Sequence, residues 1–387
     1  MPDWMNYLKV RGTWAEVGKA STPQTTNPTF NVFLGNFNLS QSTTPNEGVN
    51  PNLDPEISTT TELGVEFRLF NNRLNFDIAL YDERTRNQIA SVPVNSTSLF
   101  SSLLTNVGEI SNKGIEIYAN VVPIKTEDFN LGLTLNFATN KGVIEELPNG
   151  TEFFPYFQSN TIIEEVRGYV GERYGDIYGF KYQRDDAGNI IVGADGLPAN
   201  TTEKEKIGNI QADFTGSIGI NAAYKGLSLN ALFVMQQGGD IYSLTEASAT
   251  GTGNTPKTLS FGRDPFFTPN GIQADGSANT TIVSAQSYWG TVSGISEEFI
   301  YDASFMKLGE LSFGYSLPKS VINSLGGGFI NDVKLSLIGR NLFYLYRNTP
   351  GTVPDASSFN SSVGGQAFDF SPVPVERTYG FSLNVKF

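Results

Sequence analysis

Residues 377–387 alternate without a fault. Tyr379, Phe381, Leu383, Val385 and Phe387 fall on one side, and Thr378, Gly380, Ser382, Asn384 and Lys386 on the other. A period of two over this length predicts a strand with one apolar and one polar face. The pattern recurs along the chain. Leu8, Val10, Gly12 and Trp14 form one apolar row, and Leu63, Val65, Phe67 and Leu69 another. Leu74, Phe76, Ile78 and Leu80 follow, then Ile115, Ile117, Ala119 and Val121. Phe129, Leu131, Leu133, Leu135 and Phe137 make another row of five. Ile218, Ile220 and Ala222, then Leu227, Leu229, Ala231 and Phe233, continue it. Leu311, Phe313, Tyr315 and Leu317, and Val333, Leu335 and Leu337, precede the terminal strand. About ten strands are predicted, in an all-β, antiparallel arrangement.

The connections are asymmetric. Short ones lie at 71–73, 125–128 and 225–226, and 319–331 is predicted to hold a helical turn. Long ones cover about 19–58, 91–106, 146–212, 238–303 and 348–375. Short and long take turns, as the short periplasmic turns and long outer loops of a transmembrane barrel do. Such a strand crosses a hydrocarbon slab of about 25 Å when tilted, which takes about 9–11 residues. With the chain ending in the periplasm, the first strand rises from it and the strand count is even. Glu62, Glu66, Arg68, Asp77 and Glu116 all fall on the polar rows, where a wet or plugged lumen tolerates them.

Composition agrees. Charged residues are only 17% of the 387, while Gly 40, Phe 28 and Tyr 16 are plentiful. No window of 18 apolar residues occurs, so a closed barrel is the remaining way to hide backbone polar groups in lipid. The net charge of −13 argues against nucleic acid as a partner and suits long solvated loops. Cysteine and histidine are both absent, which excludes disulfides, thiolate metal sites, Ser-His-Asp triads and histidine acid–base chemistry. No basic segment followed by an apolar stretch opens the chain. An exported barrel needs such a signal, so the expectation is a piece of a longer protein. Bacterial outer-membrane barrels end on an aromatic residue, and Phe387 is read as that assembly terminus, addressed to the barrel-assembly machinery.

Several stretches, in order, resemble the SusC/RagA family of TonB-dependent outer-membrane transporters of Bacteroidetes. Asn52-Leu53-Asp54-Pro55-Glu56 with Glu62-Leu63-Gly64 is similar to the family's entry into a barrel strand, and Phe70-Asn71-Asn72-Arg73-Leu74 to its periplasmic turn. The most specific match runs from Asn106 through Val107, Gly108 and Glu109 to Gly114 and Glu116. Gly238-Gly239-Asp240-Ile241-Tyr242, Tyr301-Asp302-Ala303-Ser304-Phe305 and Gly339-Arg340-Asn341-Leu342 complete the series. The residues before Asp213 depart from the pattern. The resemblance implies that residues 1–387 are the carboxyl-terminal portion of a plugged barrel of about 22 strands. Signal, TonB-contacting segment, plug and early strands are then missing. It implies nutrient import of an oligosaccharide or peptide. A SusD-like surface lipoprotein would sit on the long loops, and TonB would act through the missing front. No cofactor and no catalysis are expected.

The loops hold the remaining chemistry. Glu164/Glu165, Glu203/Glu205 and Glu297/Glu298 are carboxylate pairs. Glu164/Glu165 and Glu297/Glu298 are adjacent and would face opposite ways on a strand, and all three pairs are read as solvated loop faces rather than a glycosidase pair. Asp185, Asp186 and Asp195 hint at a calcium loop, but Ala187 breaks the EF-hand spacing, and turns around a hairpin are the plainer reading. Aromatics cluster in the outer loops: Phe154, Tyr156, Tyr178, Tyr182, Tyr288, Trp289 and Tyr346. They suit stacking on sugars or gripping peptides, or else packing between loops and an interfacial girdle. Two other classes stay open: a secreted all-β carbohydrate-binding or processing domain, and a passive porin.

Overall fold

The computed structural model describes residues 2–27, 30–34, 39–43, 45–94, 97, 100–148, 151–159, 162–262, 265–326, 328–355, 364–373 and 375–387. Ten strands form one sheet in sequence order. They are β1 (Met5–Lys19), β2 (Glu56–Leu69), β3 (Leu74–Arg86), β4 (Glu109–Lys125) and β5 (Phe129–Glu146). β6 (Ala212–Tyr224), β7 (Leu227–Gly238), β8 (Phe305–Ser316), β9 (Asp332–Arg347) and β10 (Thr378–Lys386) complete it. Each pairs antiparallel with the next, and the sheet does not close on itself.

The register joins the apolar rows of the sequence into one face. Leu8 lies opposite Phe67, Phe67 opposite Phe76, Phe76 opposite Ala119, and Ala119 opposite Leu135. Leu135 continues to Ile218, Phe233 and Leu308. Directly opposed residues share a face, so this face is apolar across the sheet. It is also uncovered: Phe381 is 67% exposed and Leu135 41%. Among the described residues no second layer of strands packs on it. A soluble sandwich would bury such a face, so the face is built for lipid. No helix of the described residues is long and apolar enough to cross a membrane.

Turn chemistry explains the short ends. Lys225 and Gly226 have φ of 44° and 89°, the left-handed pair a two-residue hairpin needs. Phe70, Asn71 and Asn72 are left-handed as well, and Asn6 Oδ1 accepts the Asn71 amide at 2.7 Å. The connection after β8 holds a helix, α3 (Lys319–Gly326), longer than the single turn expected.

Among the described residues, parts of the connections 146–212, 238–303 and 348–375 fold on the opposite end into a packed cap. Phe154–Phe157, Glu165–Gly168, Asp176–Gly179 and Glu205–Asn209 make a four-stranded sheet. Asp240–Ser243 pairs antiparallel with Ile300–Asp302 and parallel with Phe368–Asp369. Helices α1 (Leu244–Gly251) and α2 (Ala285–Val292) are capped by Ser243 and Ser284. Phe299, Phe368, Ile177, Val166 and Val292 fill the cap's core.

Candidate functional site

The polar rows of the same strands meet on the other face of the sheet. Arg11 is its hub: Nε donates to Glu62 at 3.1 Å and Nη1 to Asp77 at 2.8 Å. Gly64 makes this possible, because a Cβ there would lie 2.4 Å from the guanidinium. Arg68 pairs with Glu66 at 2.8 Å and lies over the Tyr7 ring. Asn136 donates to Ser217 at 2.9 Å and Asn230 to Ser312 at 3.0 Å, which ties strand to strand by neutral groups. A cleft of about 570 Å³ runs along this face, lined among others by Arg11, Asp77, Glu116, Tyr118, Gln236 and Phe305. Carboxylates, amides and aromatic rings side by side can accept, donate and stack, which suits a polar, ring-bearing or amide-bearing solute.

The sequence motifs prove to be joints between wall and cap. Asn106 accepts the Asp54 amide at 3.0 Å, and its Nδ2 donates to the carbonyls of Asp54 at 2.9 Å and Asn87 at 2.8 Å. Two separate motifs therefore clasp each other. Ser304 accepts the Gly238 amide at 2.7 Å and Ala303 donates to the Gly239 carbonyl at 2.8 Å, which clasps two more. Asn209, in the stretch that departs from the pattern, donates to Asp176 at 2.6 Å, and Asp240 accepts its amide at 2.8 Å.

The loop aromatics sit at different depths. Phe154 is 4% exposed and packs with Ile144 and Leu147. Tyr182 and Trp289 are each 8% exposed. The Tyr182 hydroxyl donates to Glu298 at 3.0 Å, and burial pushes its pKa well above the usual phenol range. Tyr288 packs edge-on against Phe261, Phe267 and Trp289. Tyr156 is wedged between Phe154 and Tyr174, with ring centroids 4.8 and 4.7 Å away. Tyr178 is half-buried, with the Arg167 guanidinium 4.9 Å over its ring and Phe153 4.2 Å from the same cation. Tyr346 lies opposite Met306 and so on the outward, apolar face.

Asp185 is committed to a turn: it accepts the Asn189 amide at 2.7 Å, and the hydrogen bonds from Asn189 hold its pKa down. Asp195 accepts the Leu197 amide at 3.1 Å in the neighbouring turn. Among the described residues, no group of three or more acidic side chains could hold a metal ion, and Asp186 is not part of one. The Glu164/Glu165 pair is a correction to the solvated reading. Glu164 is 1% exposed and accepts from Ser296 at 2.6 Å; burial pushes its pKa up. Glu165 is clasped between Arg167, two residues along the same strand, and Lys204, which the fold of the cap brings in from remote sequence. Tyr118 and Gln236 are not singled out by sequence, and Phe305 only as the end of the Tyr301–Phe305 motif, not as a residue of the cleft. The alternation places Tyr118 in a strand but gives no reason to prefer it over its row neighbours, and the strands that carry Gln236 and Phe305 run beyond the rows read from sequence.

An open meander with an exposed apolar face, a polar face bearing a cleft, and a cap folded from long connections at one end is the wall of a membrane β-barrel. The comparisons specify which. The family model described as TonB dependent receptor-like, beta-barrel matches residues 2–231. The chain belongs to that family, whose members are outer-membrane proteins. TonB-dependent receptor P3 of Formosa agariphila is 28% identical over 373 residues, which cover 87% of this chain and 35% of P3. TonB-dependent receptor SusC of Bacteroides thetaiotaomicron is 28% identical over 159 residues, 39% of this chain and 16% of SusC. The RagAB peptide importer in its closed-closed state superposes with a TM-score of 0.74 at 21% identity, over 99% of this chain and 41% of that one. The chain thus spans about a third of the length of P3.

Proposed function

We propose that this chain forms part of the wall of an energised outer-membrane importer. It passes a large solute, an oligosaccharide or a peptide, and leaves its bonds intact. The supporting observation is the cleft on the polar face, where Arg11, Asp77, Glu116 and Tyr118 share one stretch of wall with Phe305. In this reading the remainder of the barrel pairs with β1 and β10, whose outer edges lack partners in the sheet. TonB supplies energy through a segment outside this chain, and a SusD-like surface lipoprotein rests on the cap. Among the aromatics proposed as solute contacts, Tyr178 is the one whose half-buried ring already holds a cation. The exposed apolar face speaks against the secreted-domain reading.

The test is uptake by cells whose full-length protein carries this chain. Labelled oligosaccharides and peptides are supplied, and the periplasmic contents are weighed by mass spectrometry. Import of one class at unchanged mass, stopped by collapse of the proton-motive force, is expected. Uptake that continues after collapse would make the protein a passive porin, and a shortened product would make it an enzyme.

A further inference from the structure

The outward face changes character within one row. Leu80 lies opposite Ile115, and Ile115 opposite Thr139. Two residues further along each strand, Asp82 lies opposite Lys113, and Lys113 opposite Lys141. That step is roughly 7 Å, so the apolar band gives way to charge over the thickness of a lipid head group. Arg173 bridges to Val143 on the next row. A second cleft of about 570 Å³ opens here, with Leu80 and Ile115 on its floor and Lys113, Lys141 and Arg173 around it. Asp213 also lines it. Lys113 is partly neutralised by Asp82 at 3.0 Å, and Arg84 shares Asp82 and Glu109. Lys141 is exposed and has no ion pair among the described residues.

From this juxtaposition we infer that the outer wall carries a binding site for an anionic, phosphate-bearing lipid of the leaflet on the cap side. The acyl chains lie on Leu80 and Ile115, and the phosphate meets Lys113, Lys141 and Arg173. Charge complementarity commits the occupant. An acidic chain of net charge −13 places three cations around one cleft, at the row where the apolar band ends. The site is on the face opposite the solute cleft and does not depend on which solute is passed.

The experiment uses the full-length protein purified in detergent. Native mass spectrometry follows retention of lipid A against zwitterionic phosphatidylcholine, with inorganic phosphate as competitor. Lipid A is expected to persist as an adduct, and Lys141→Glu to lower its retention at least about tenfold. The combined Lys113→Ala, Lys141→Ala, Arg173→Ala protein is expected to lose it. Folding of each variant is read from heat-modifiable gel mobility, and the exposed Lys141 change serves where the triple variant fails to fold. Equal retention by parent and Lys141→Glu overturns the proposal. So does equal retention of phosphatidylcholine, or binding of inorganic phosphate without lipid A.

Discussion

Gly108 adopts φ 76°, and a Cβ there would meet the Glu146 carbonyl oxygen at 1.9 Å. Both the backbone conformation and the close approach demand glycine. Gly108→Ala is expected to cost at least about 1–3 kcal/mol from strain alone, with displacement of Glu146 added. Thermal unfolding of the full-length protein measures it. Gly290 is the control, since it lies in α2 with nothing within 4 Å of its Cβ position. Gly290→Ala is expected to stabilise by roughly 0.5–1 kcal/mol through helix propensity. If both substitutions shift the midpoint equally, the contact argument for Gly108 fails. The same comparison explains what the motif around Gly108 encodes. Asn106 spends its side chain on Asp54 and Asn87, so the most family-specific residues are structural clasps rather than solute contacts.

At the scale of elements, the cap carries a buried acid. Burial raises the pKa of Glu164, so the folded cap holds that proton more firmly than the unfolded chain. The stabilisation is complete below the unfolded carboxylate range and is lost as pH rises through the raised value. Glu165 works in the opposite sense. Burial pushes its pKa up, but Lys204 and Arg167 outweigh burial and lower it, so its contribution fades on acidification. Glu164→Gln is therefore expected to protect the Glu165–Gly168 strand better than the parent at neutral pH, with the difference shrinking as pH falls. Hydrogen exchange of the two proteins at matched pH reads this directly. A constant difference across pH would remove Glu164 from the account. None of this was visible in the sequence. Ser296 reaches Glu164, and Glu298 reaches Tyr182, across more than a hundred residues, and irregular loops have no period to announce such contacts. The strands were legible because one rule, period two, decides which side of the wall each residue takes.

For the whole molecule, that rule has a sharp consequence at two adjacent positions. Leu135 lies on the lipid row between Ala119 and Ile218, while Asn136 faces the lumen and donates to Ser217. A cation at a lipid-facing position near the midplane costs about 2–4 kcal/mol, whereas a luminal one keeps its water. Leu135→Arg is thus expected to impair barrel assembly, and Asn136→Arg to cost only the Ser217 bond, about 1 kcal/mol. Folded yield in the outer membrane, scored by heat-modifiable mobility, separates them. Should Asn136→Arg prove the more damaging, the two faces have been assigned the wrong way round. The polar cleft would then face lipid and the importer reading would lose its supporting observation. The outcome also bears on the lipid site, because Leu80 and Ile115 share the face of Leu135, but only the lipid-adduct measurement tests the cations themselves.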